Sequence, residues 1–434
     1  MGQDGANDRR TRWTREPRSS YWRTAQNRRA CGAGRSGEPM ANPGDWDLWG
    51  PLRGRYETRA AAGGPYRLLA LDGGGIRGLI TLRVLIRLEQ LLGAGNPDFR
   101  LAEFFDCIGG TSTGAIIATG LARGMSAQDL MTFYRGFALE VFTKRNLFER
   151  WKSLYDNGAL ERKLREFFRD PESLHPEYLR TLLVVVTRNA TTDSAWPISS
   201  NPWAAYNGRD RKDCNLGIQQ WKVVRASTAA PVYFPPEVIA WDPSDASKSF
   251  VFVDGGTTAY NCPAFLMARM VTEPAYRLSW PKGERNMLVV SIGTGSAPTL
   301  GATADDPETN VLAAALNTLS AVMNQAQVDQ DVNCRTVGRC TVGPVIDREL
   351  GDLVPRDARG NPVPLEHDLG RAFLYARYNA DLTSAGLARL GLAGIDPNVV
   401  AKLDSIAGMD DLVKIGEAVA RDVDLAHFGS FVQR

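Results

Sequence analysis

This 434-residue chain has few histidines, no long apolar runs and little net charge. Only three histidines are present, at positions 175, 367 and 427, so we expect no metal site built from several of them. No apolar run approaches the roughly 20 residues that span a bilayer, and the N-terminus lacks the apolar core of a signal peptide. These absences favour a protein without membrane spans that stays in the cytoplasm.

The charges nearly cancel, since 51 Lys and Arg residues stand against 49 Asp and Glu residues, for a net charge of +2. This balance gives no reason to expect nucleic acid as a partner. Six cysteines are scattered at positions 31, 107, 214, 262, 334 and 340, and none forms a Cys-x-x-Cys pair. The spacing is typical of free thiols in a reducing compartment rather than of a disulfide framework.

The first 65 residues differ in composition from the rest. They are rich in arginine, glycine, serine and asparagine and poor in aliphatic residues. Such a segment buries too little apolar surface to offset the entropy of ordering. We therefore expect a basic, disordered tail over residues 1–65. A solvated tail is favoured over one that contacts anionic lipid or nucleic acid.

From Tyr66 onward, short apolar strands alternate with helical patterns. This alternation predicts an α/β fold with a largely parallel sheet over residues 66–300. Residues 301–434 are expected to form a mostly helical C-terminal part packed on it, although 373–378 is a strand that either returns to the sheet or forms a small edge. The other predicted strands are 67–71, 182–186, 250–253 and 287–292, and the clearest helices are 158–168, 218–227, 311–325 and 410–423.

Gly110-Thr111-Ser112-Thr113-Gly114 is a Gly-x-Ser-x-Gly turn between an apolar strand and a helix. Such a turn pushes the serine side chain into a sharp, exposed position, and small neighbours let the adjoining backbones pass close by. The serine also stands at a helix N-terminus, where free N–H groups favour negative charge. We predict that Ser112 is a nucleophile, although the turn alone is equally consistent with a glycine-rich corner and an incidental serine.

The first strand runs into Asp72-Gly73-Gly74-Gly75-Ile76-Arg77-Gly78, which formally matches the Gly-x-Gly-x-x-Gly of dinucleotide-binding folds. However, the acidic residue that would hold the ribose, Asp106, falls near the start of the next strand rather than at its end. A glycine loop before a helix is a nest of N–H groups for any anion. We favour an oxyanion, with Arg77 adding positive charge, and keep a non-catalytic nucleotide or anion binder as the alternative.

Asp254-Gly255-Gly256 follows the predicted strand 250–253. An aspartate at the C-terminal end of a strand lies on the edge where parallel α/β sheets place active sites. In isolation it would be interpreted as a turn residue bonded to its own backbone. A serine hydroxyl, however, needs a base to take its proton. We predict that Asp254 is this base and contacts Ser112 directly.

The usual base would be a histidine in a Ser-His-Asp triad. None of the three histidines fits well, because His175 lies in a turn, His367 in a polar run and His427 close to the C-terminus. The chain order Ser…Asp…His of α/β-hydrolases nevertheless leaves His367 and His427 open as alternatives.

Together the glycine loop 72–78, the serine turn 110–114 and the aspartate turn 254–256 resemble the patatin-like phospholipase family. Two further segments, residues 225–236 and 291–295, agree with it, and the resemblance covers about residues 67–300. It implies a three-layer sandwich with a mostly parallel central sheet flanked by helices, plus a largely helical C-terminal extension.

The resemblance also implies a lipid acyl hydrolase of the phospholipase A or lysophospholipase type, acting on a phospholipid or lysophospholipid. Carboxylic esters would be cleaved through a Ser–Asp dyad and an acyl-enzyme, with Ser112 as nucleophile, Asp254 as base and no metal or organic cofactor. The implied oxyanion hole and substrate site comprise Gly74, Gly75, Arg77 and Thr113, and the motif glycines are Gly73, Gly78, Gly110, Gly114, Gly255 and Gly256. An acyltransferase with the same dyad is an alternative.

A stripe of apolar residues at helical spacing, Phe133, Phe137, Val141 and Phe142, precedes the cationic stretch 144–152. Aromatic rings interleaved with cations suit a cap or lid at a membrane surface, and peripheral contact with a membrane is one hypothesis for this segment. An ordinary amphipathic helix packed on the sheet also explains the stripe and is favoured.

Overall fold

The computed structural model describes residues 46–142, 157–208, 211, 213–242, 244–296 and 311–432. Most of the predicted basic tail, residues 1–45, and the cationic stretch 144–152 lie outside the described residues. Within the described ranges, no helix is both long and apolar enough to cross a membrane.

One sheet of nine strands organises the described residues. The strands are β1 (Tyr66–Leu71), β2 (Cys107–Thr111), β3 (Leu182–Asn189), β4 (Ser194–Ser199), β5 (Glu237–Ala240), β6 (Ser249–Asp254), β7 (Met287–Ile292), β8 (Arg339–Val342) and β9 (Leu374–Tyr378). Their order is β5-β6-β3-β2-β1-β7-β9-β8, and β4 pairs with β3 in addition. The six strands from β3 to β8 in this order run parallel, whereas β4 and β6 are antiparallel to β3. The predicted α/β fold with a mostly parallel sheet is confirmed.

Helices connect the strands. In the described ranges they are α1 (Arg53–Ala61), α2 (Gly78–Gly93), α3 (Leu101–Phe104), α4 (Thr113–Ala122), α5 (Ala127–Val141), α6 (Asn157–Phe167), α7 (Gln220–Ser227), α8 (Ala264–Thr272), α9 (Val311–Val337), α10 (Ser384–Arg389), α11 (Pro397–Val400) and α12 (Met409–Ala420). Short 3-10 turns lie between several of them.

The side chains of the central strands point alternately into two apolar cores, one on each face of the sheet. In β1, Leu69 and Leu71 point into the core that contains residues of α2, α4 and α5. Leu68 and Ala70 point into the core that contains residues of α8. All four side chains are completely buried. Helices therefore cover both faces, which gives the three-layer sandwich implied by the family resemblance.

Residues 46–65 pack onto the fold, so the prediction of a disordered tail is wrong for this stretch. A 3-10 segment, Trp46–Leu52, and α1 lie against the second core, where Trp49 and Tyr56 are only 1% and 2% exposed. Arg55 of α1 also pairs with the buried carboxylate of Asp106 at 3.0 Å. A few aromatic rings supply the apolar surface that an average composition over 65 residues conceals.

The C-terminal part is less helical than predicted, because two of its strands, β8 and β9, extend the sheet beside β7. For residues 373–378, this confirms the alternative in which they return to the sheet. Between β8 and β9 the chain forms no helix and only isolated bridges. The predicted boundary at residue 300 therefore divides a single sheet.

Candidate active site

The two strands that carry the predicted nucleophile and base meet end to end along one edge of β3. β2 runs parallel to β3, and its last residue, Thr111, pairs with Val186. β6 runs antiparallel to β3, and its last residue, Asp254, pairs with the next position, Thr187. Because β4 occupies the other edge of β3 at both positions, the ends of β2 and β6 share an edge. This register brings Ser112, the residue after β2, face to face with Asp254.

Ser112 stands at a strained corner between β2 and α4. Its φ of 53° and ψ of −120° lie outside the conformations that residues with side chains ordinarily adopt. Ser227 holds the corner, since its hydroxyl accepts from the Ser112 N–H at 2.9 Å and donates to the Val186 carbonyl at 2.7 Å. Side chains at Gly110 or Gly114 would collide with neighbouring backbone, which explains the two glycines of the motif.

The Ser112 hydroxyl donates a hydrogen bond to Asp254, with 2.6 Å between Oγ and Oδ2. The other carboxylate oxygen accepts from the Gly256 N–H at 2.7 Å. Burial raises the pKa of Asp254 to about 6, although the Ser112 hydroxyl, the Gly256 N–H and the positive charge of Arg225 all act to lower it. A carboxylate with this pKa is a stronger base than aspartate in water and is still mostly ionised at neutral pH.

The three histidines lie away from this pair. His427 shares a hydrogen bond of 3.0 Å with the hydroxyl of Tyr378, and His367 is exposed. In the part of the chain that the structure describes, no histidine hydrogen-bonds to the Ser–Asp pair or lines the cleft beside it. The geometry therefore gives no support to a Ser-His-Asp arrangement.

The glycine loop after β1 has its carbonyl groups engaged by nearby donors. The Gly73 carbonyl accepts from the Thr294 hydroxyl at 2.8 Å. The Gly74 carbonyl accepts from the N–H and the Nε of Arg77 at 3.2 and 3.3 Å. We call residues 72–77 the oxyanion loop from here on.

These carbonyl contacts fix where the loop's N–H groups point. The N–H and C=O of a trans peptide group point in opposite directions, so the bonds to Gly73 and Gly74 turn the N–H groups of Gly74 and Gly75 the other way. No described residue accepts a hydrogen bond from either N–H. Gly75 has a φ of 57° and lines the same cleft as Ser112. Two free backbone donors beside a nucleophile are what an oxyanion hole requires.

The structure places Arg77 and Thr113 so that they support the loop. Arg77 is 7% exposed, and burial lowers its pKa to about 10. Its side chain bonds back to the loop and is not part of the cleft lining. Thr113 does line the cleft, but its hydroxyl donates to the Gly75 carbonyl at 2.8 Å, beside a second donor, the Tyr134 hydroxyl, at 2.7 Å.

A mainly apolar cleft opens beside Ser112 and encloses about 530 Å³, counting space open to solvent. Its apolar lining includes Ile116, Phe137, Val141, Leu160, Met323 and Leu403. The stripe on α5 thus faces inward, with Phe137 and Val141 only 4% and 2% exposed. This placement favours a packed helix over a solvent-facing lid for the part of the stripe that the structure describes.

Sequence reasoning missed the side chains that support the site from a distance. Ser227 and Thr294 lie within the two segments that extended the family resemblance, so their neighbourhood was indicated but not their role. Met323 and Leu403 belong to no motif. The backbone carbonyl of Leu403 also accepts from the N–H of Ile76 in the oxyanion loop at 2.8 Å.

Part of this chain is similar to known proteins. Residues 69–268 match the family described as patatin-like phospholipase. Patatin-2-Kuras 1 of Solanum tuberosum is 27% identical over 255 residues, which cover 55% of this chain and 65% of that protein. Patatin-17 of Solanum cardiophyllum is 27% identical over 257 residues, covering 55% and 63%. Each match therefore spans less than two thirds of the relative's own length.

Among solved structures, VipD from Legionella pneumophila is similar with a TM-score of 0.33 and 14% identity, covering 81% of this chain and 67% of that one. The family match over residues 69–268 includes the Ser112 turn, the Asp254 turn and the whole glycine loop. Residues 69–268 are therefore similar to the patatin-like phospholipase family, and the resemblance predicted from the motifs of this chain is confirmed.

Proposed function

We propose that this chain is a lipid acyl hydrolase that cleaves carboxylic esters through a Ser112–Asp254 dyad. The observation that carries the proposal is the 2.6 Å contact between the Ser112 hydroxyl and a buried carboxylate. The contact lies at the wall of a cleft whose lining is largely apolar. Family membership supports the same class of reaction.

The reaction follows from the positions of these groups. Asp254 takes the proton from Ser112 as Oγ attacks the ester carbonyl, and the N–H groups of Gly74 and Gly75 receive the developing oxyanion. The tetrahedral intermediate collapses, and the alcohol leaves with the proton that Asp254 held. Water then attacks the acyl-enzyme, again giving a proton to Asp254, and the fatty acid departs as Ser112 regains its hydrogen.

The lining of the cleft supports a lipid substrate. Its apolar lining suits an acyl chain, which gains roughly 0.8 kcal/mol for each buried methylene. We assign a phospholipid or lysophospholipid as the substrate, with the acyl chain in the cleft and the headgroup outside it. This is activity of the phospholipase A or lysophospholipase type, and it brings the protein into contact with a lipid surface.

A fluorophosphonate probe tests the dyad, because it reacts only with an activated serine. We expect labelling of the native chain and none of the Ser112→Ala and Asp254→Asn variants. Ser430→Ala, which changes an exposed serine far along the chain, serves as the matched control and should label fully. Labelling of Ser112→Ala at the native rate would show that another residue is the nucleophile.

The products of the reaction complete the test. With a lysophospholipid as substrate, we expect release of free fatty acid in a Ser112-dependent reaction. If an added alcohol captures the acyl group in preference to water, the chain is an acyltransferase with the same dyad instead.

A further inference from the structure

We infer that Arg377, on β9 and outside the family match, is a positioning residue for the oxyanion loop. The inference rests on the proposed function, because it assigns this arginine a role in the same reaction. Arg377 is not among the residues that line the cleft. It acts through Asp72, the first residue of the loop.

Arg377 forms a bidentate contact with Asp72 through both terminal nitrogens of its guanidinium group. Nη1 lies 3.0 Å from Oδ1 and Nη2 lies 2.5 Å from Oδ2, which is the two-pronged geometry of the strongest charge-assisted hydrogen bonds. Nη1 also donates to the Ser291 hydroxyl at 2.6 Å. The side chains of Arg377 and Asp72 are 1% and 0% exposed, so water does not compete for these bonds.

A second carboxylate, that of Asp331, lies near the Nε end of the arginine side chain. Asp331 on α9 lies 4.0 Å from Arg377 Nε, and it accepts from Arg335 at 2.8 and 2.7 Å and from the Tyr375 hydroxyl at 2.9 Å. Two carboxylates and two guanidinium groups therefore balance one another in the interior. The pairing of Arg377 with Ser291 in the sheet sets the backbone position of the arginine, and the negative charge of Asp331 lies near its Nε. The two-pronged contact transmits this position to Asp72.

The oxyanion loop is thus fixed at both ends by the C-terminal part of the chain. Arg377 holds the loop at Asp72, and the Leu403 carbonyl holds it at Ile76. Between these two points lie Gly74 and Gly75, whose N–H groups are the proposed oxyanion donors. A small rotation of Asp72 would tilt both peptide groups, since it immediately precedes the three glycines.

Stability alone does not require a charged pair at this place. Burying two charges removes their hydration, and an apolar pair of similar volume is often as stable or more so. A two-pronged pair differs in fixing the orientation of the carboxylate, and with it the start of the loop. Orientation of the loop, rather than its mere attachment, is what Arg377 supplies.

The test measures kcat and KM for a p-nitrophenyl ester, together with deuterium uptake by the peptide covering residues 72–78, in the full chain. Arg377→Lys keeps the charge but loses the two-pronged contact. The double variant D72N/R377M removes both charges and leaves no buried charge unpaired. The matched control is E284Q/R339M, because Arg339 and Glu284 form a similarly buried pair at 2.9 Å on the outer strand β8.

We expect R377K and D72N/R377M to lower kcat at least tenfold, to change KM less than twofold and to speed deuterium uptake over residues 72–78. The control should keep kcat within twofold and leave that uptake unchanged, even if its melting temperature falls. If D72N/R377M does not fold, R377K decides the question.

Wild-type kcat and uptake in folded R377K would overturn the inference, as would an equal loss of kcat in the control. If the native chain has no esterase activity at all, the proposed function fails, and the deuterium uptake then tests the role of Arg377 independently.

Discussion

Residues 69–268 and residues 269–432 contribute to the site in different ways. The first region supplies the proposed reacting groups, Ser112 and Asp254, on turns whose glycines mark them in the sequence. The second region supplies groups that shape and hold the site, namely Thr294, Arg377 and Leu403. Thr294 lies in a segment that the family resemblance indicated, whereas nothing in the local sequence marks Arg377 or Leu403. Chemistry is encoded in short segments, whereas the geometry that makes it work is distributed over the fold.

The largest expected effect lies in the first region. Ser112→Ala, Asp254→Asn and the double variant should each lower kcat by about 10³-fold or more, because residues that act as one unit do not contribute separately. Steady-state kinetics on a p-nitrophenyl ester would measure this. A double variant much less active than either single variant would mean that the two residues act independently, and the dyad would be wrong.

Thr294→Val tests the second region with a change of one atom. It removes the closer of two donors to the Gly73 carbonyl and leaves only the Asn261 side-chain amide at 3.4 Å, so the peptide group that carries the Gly74 N–H is held less firmly. We expect kcat to fall by roughly 10- to 100-fold, which is less than the loss of a whole oxyanion donor. Thr272→Val, which removes a similar hydroxyl–carbonyl bond on α8, should leave kcat unchanged.

The pH profile should report Asp254. Its pKa of about 6 means that kcat/KM falls about tenfold for each pH unit below 6, because the protonated carboxyl no longer accepts the serine proton. A pH series in a buffer of constant ionic strength would show this limb. An acidic limb that persists in a histidine-free variant (His175→Gln, His367→Gln and His427→Gln together) supports the carboxylate, and loss of the limb there would assign it to a histidine.

Leu403→Trp tests whether the second region also sets the preference between long and short acyl chains. The larger side chain fills part of the cleft, so kcat/KM for a dodecanoyl ester should fall roughly tenfold relative to a butanoyl ester, the worth of about two buried methylenes. Leu369→Trp, at a more exposed position, is the control. An equal effect on both esters would mean that Leu403 supports the loop without bounding the acyl chain.

The smallest expected effect is on stability. The pKa of Asp254 is raised in the folded chain, so between about pH 4 and 6 the folded state keeps a proton that the unfolded state releases. Folding therefore becomes less favourable as pH rises through this window, and the penalty is complete above it. Asp254→Asn should remove roughly 1–3 kcal/mol of this penalty at pH 7 and little at pH 4, measured by urea unfolding. An unchanged or lowered stability at pH 7 would contradict the raised pKa.

The sequence predicted the contact between Ser112 and Asp254 because the signals of both residues are local. A glycine-flanked serine and an aspartate at a strand end are visible in a few residues. The antiparallel direction of β6 was not visible, since it depends on pairing with a strand far away in the chain. β4 was missed because Pro197 interrupts its pattern, as a proline does on an outer position of a sheet.

The supporting groups were missed for a related reason. A buried arginine such as Arg377 looks like a surface residue in sequence, because only its partner Asp72, 305 positions earlier, explains its burial. The same holds for Trp49 and Tyr56, whose packing was hidden by the polar residues around them. Long-range contacts of this kind leave no periodic trace along the chain.

Because β2 and β6 meet end to end on β3, the distance between the Ser112 and Asp254 side chains does not depend on the length of chain between them. Ser112 and Asp254 are 142 positions apart in the chain. The distance between them is nevertheless set by β3, because β2 and β6 end at two successive residues of that strand, Val186 and Thr187. Insertions in the loops between them leave the reacting oxygens where they are. A single deletion inside β6 would shift the following residues by about 3.3 Å, one strand residue, along β3 and turn their side chains to the other face of the sheet, so we expect the Ser112–Asp254 contact to be lost.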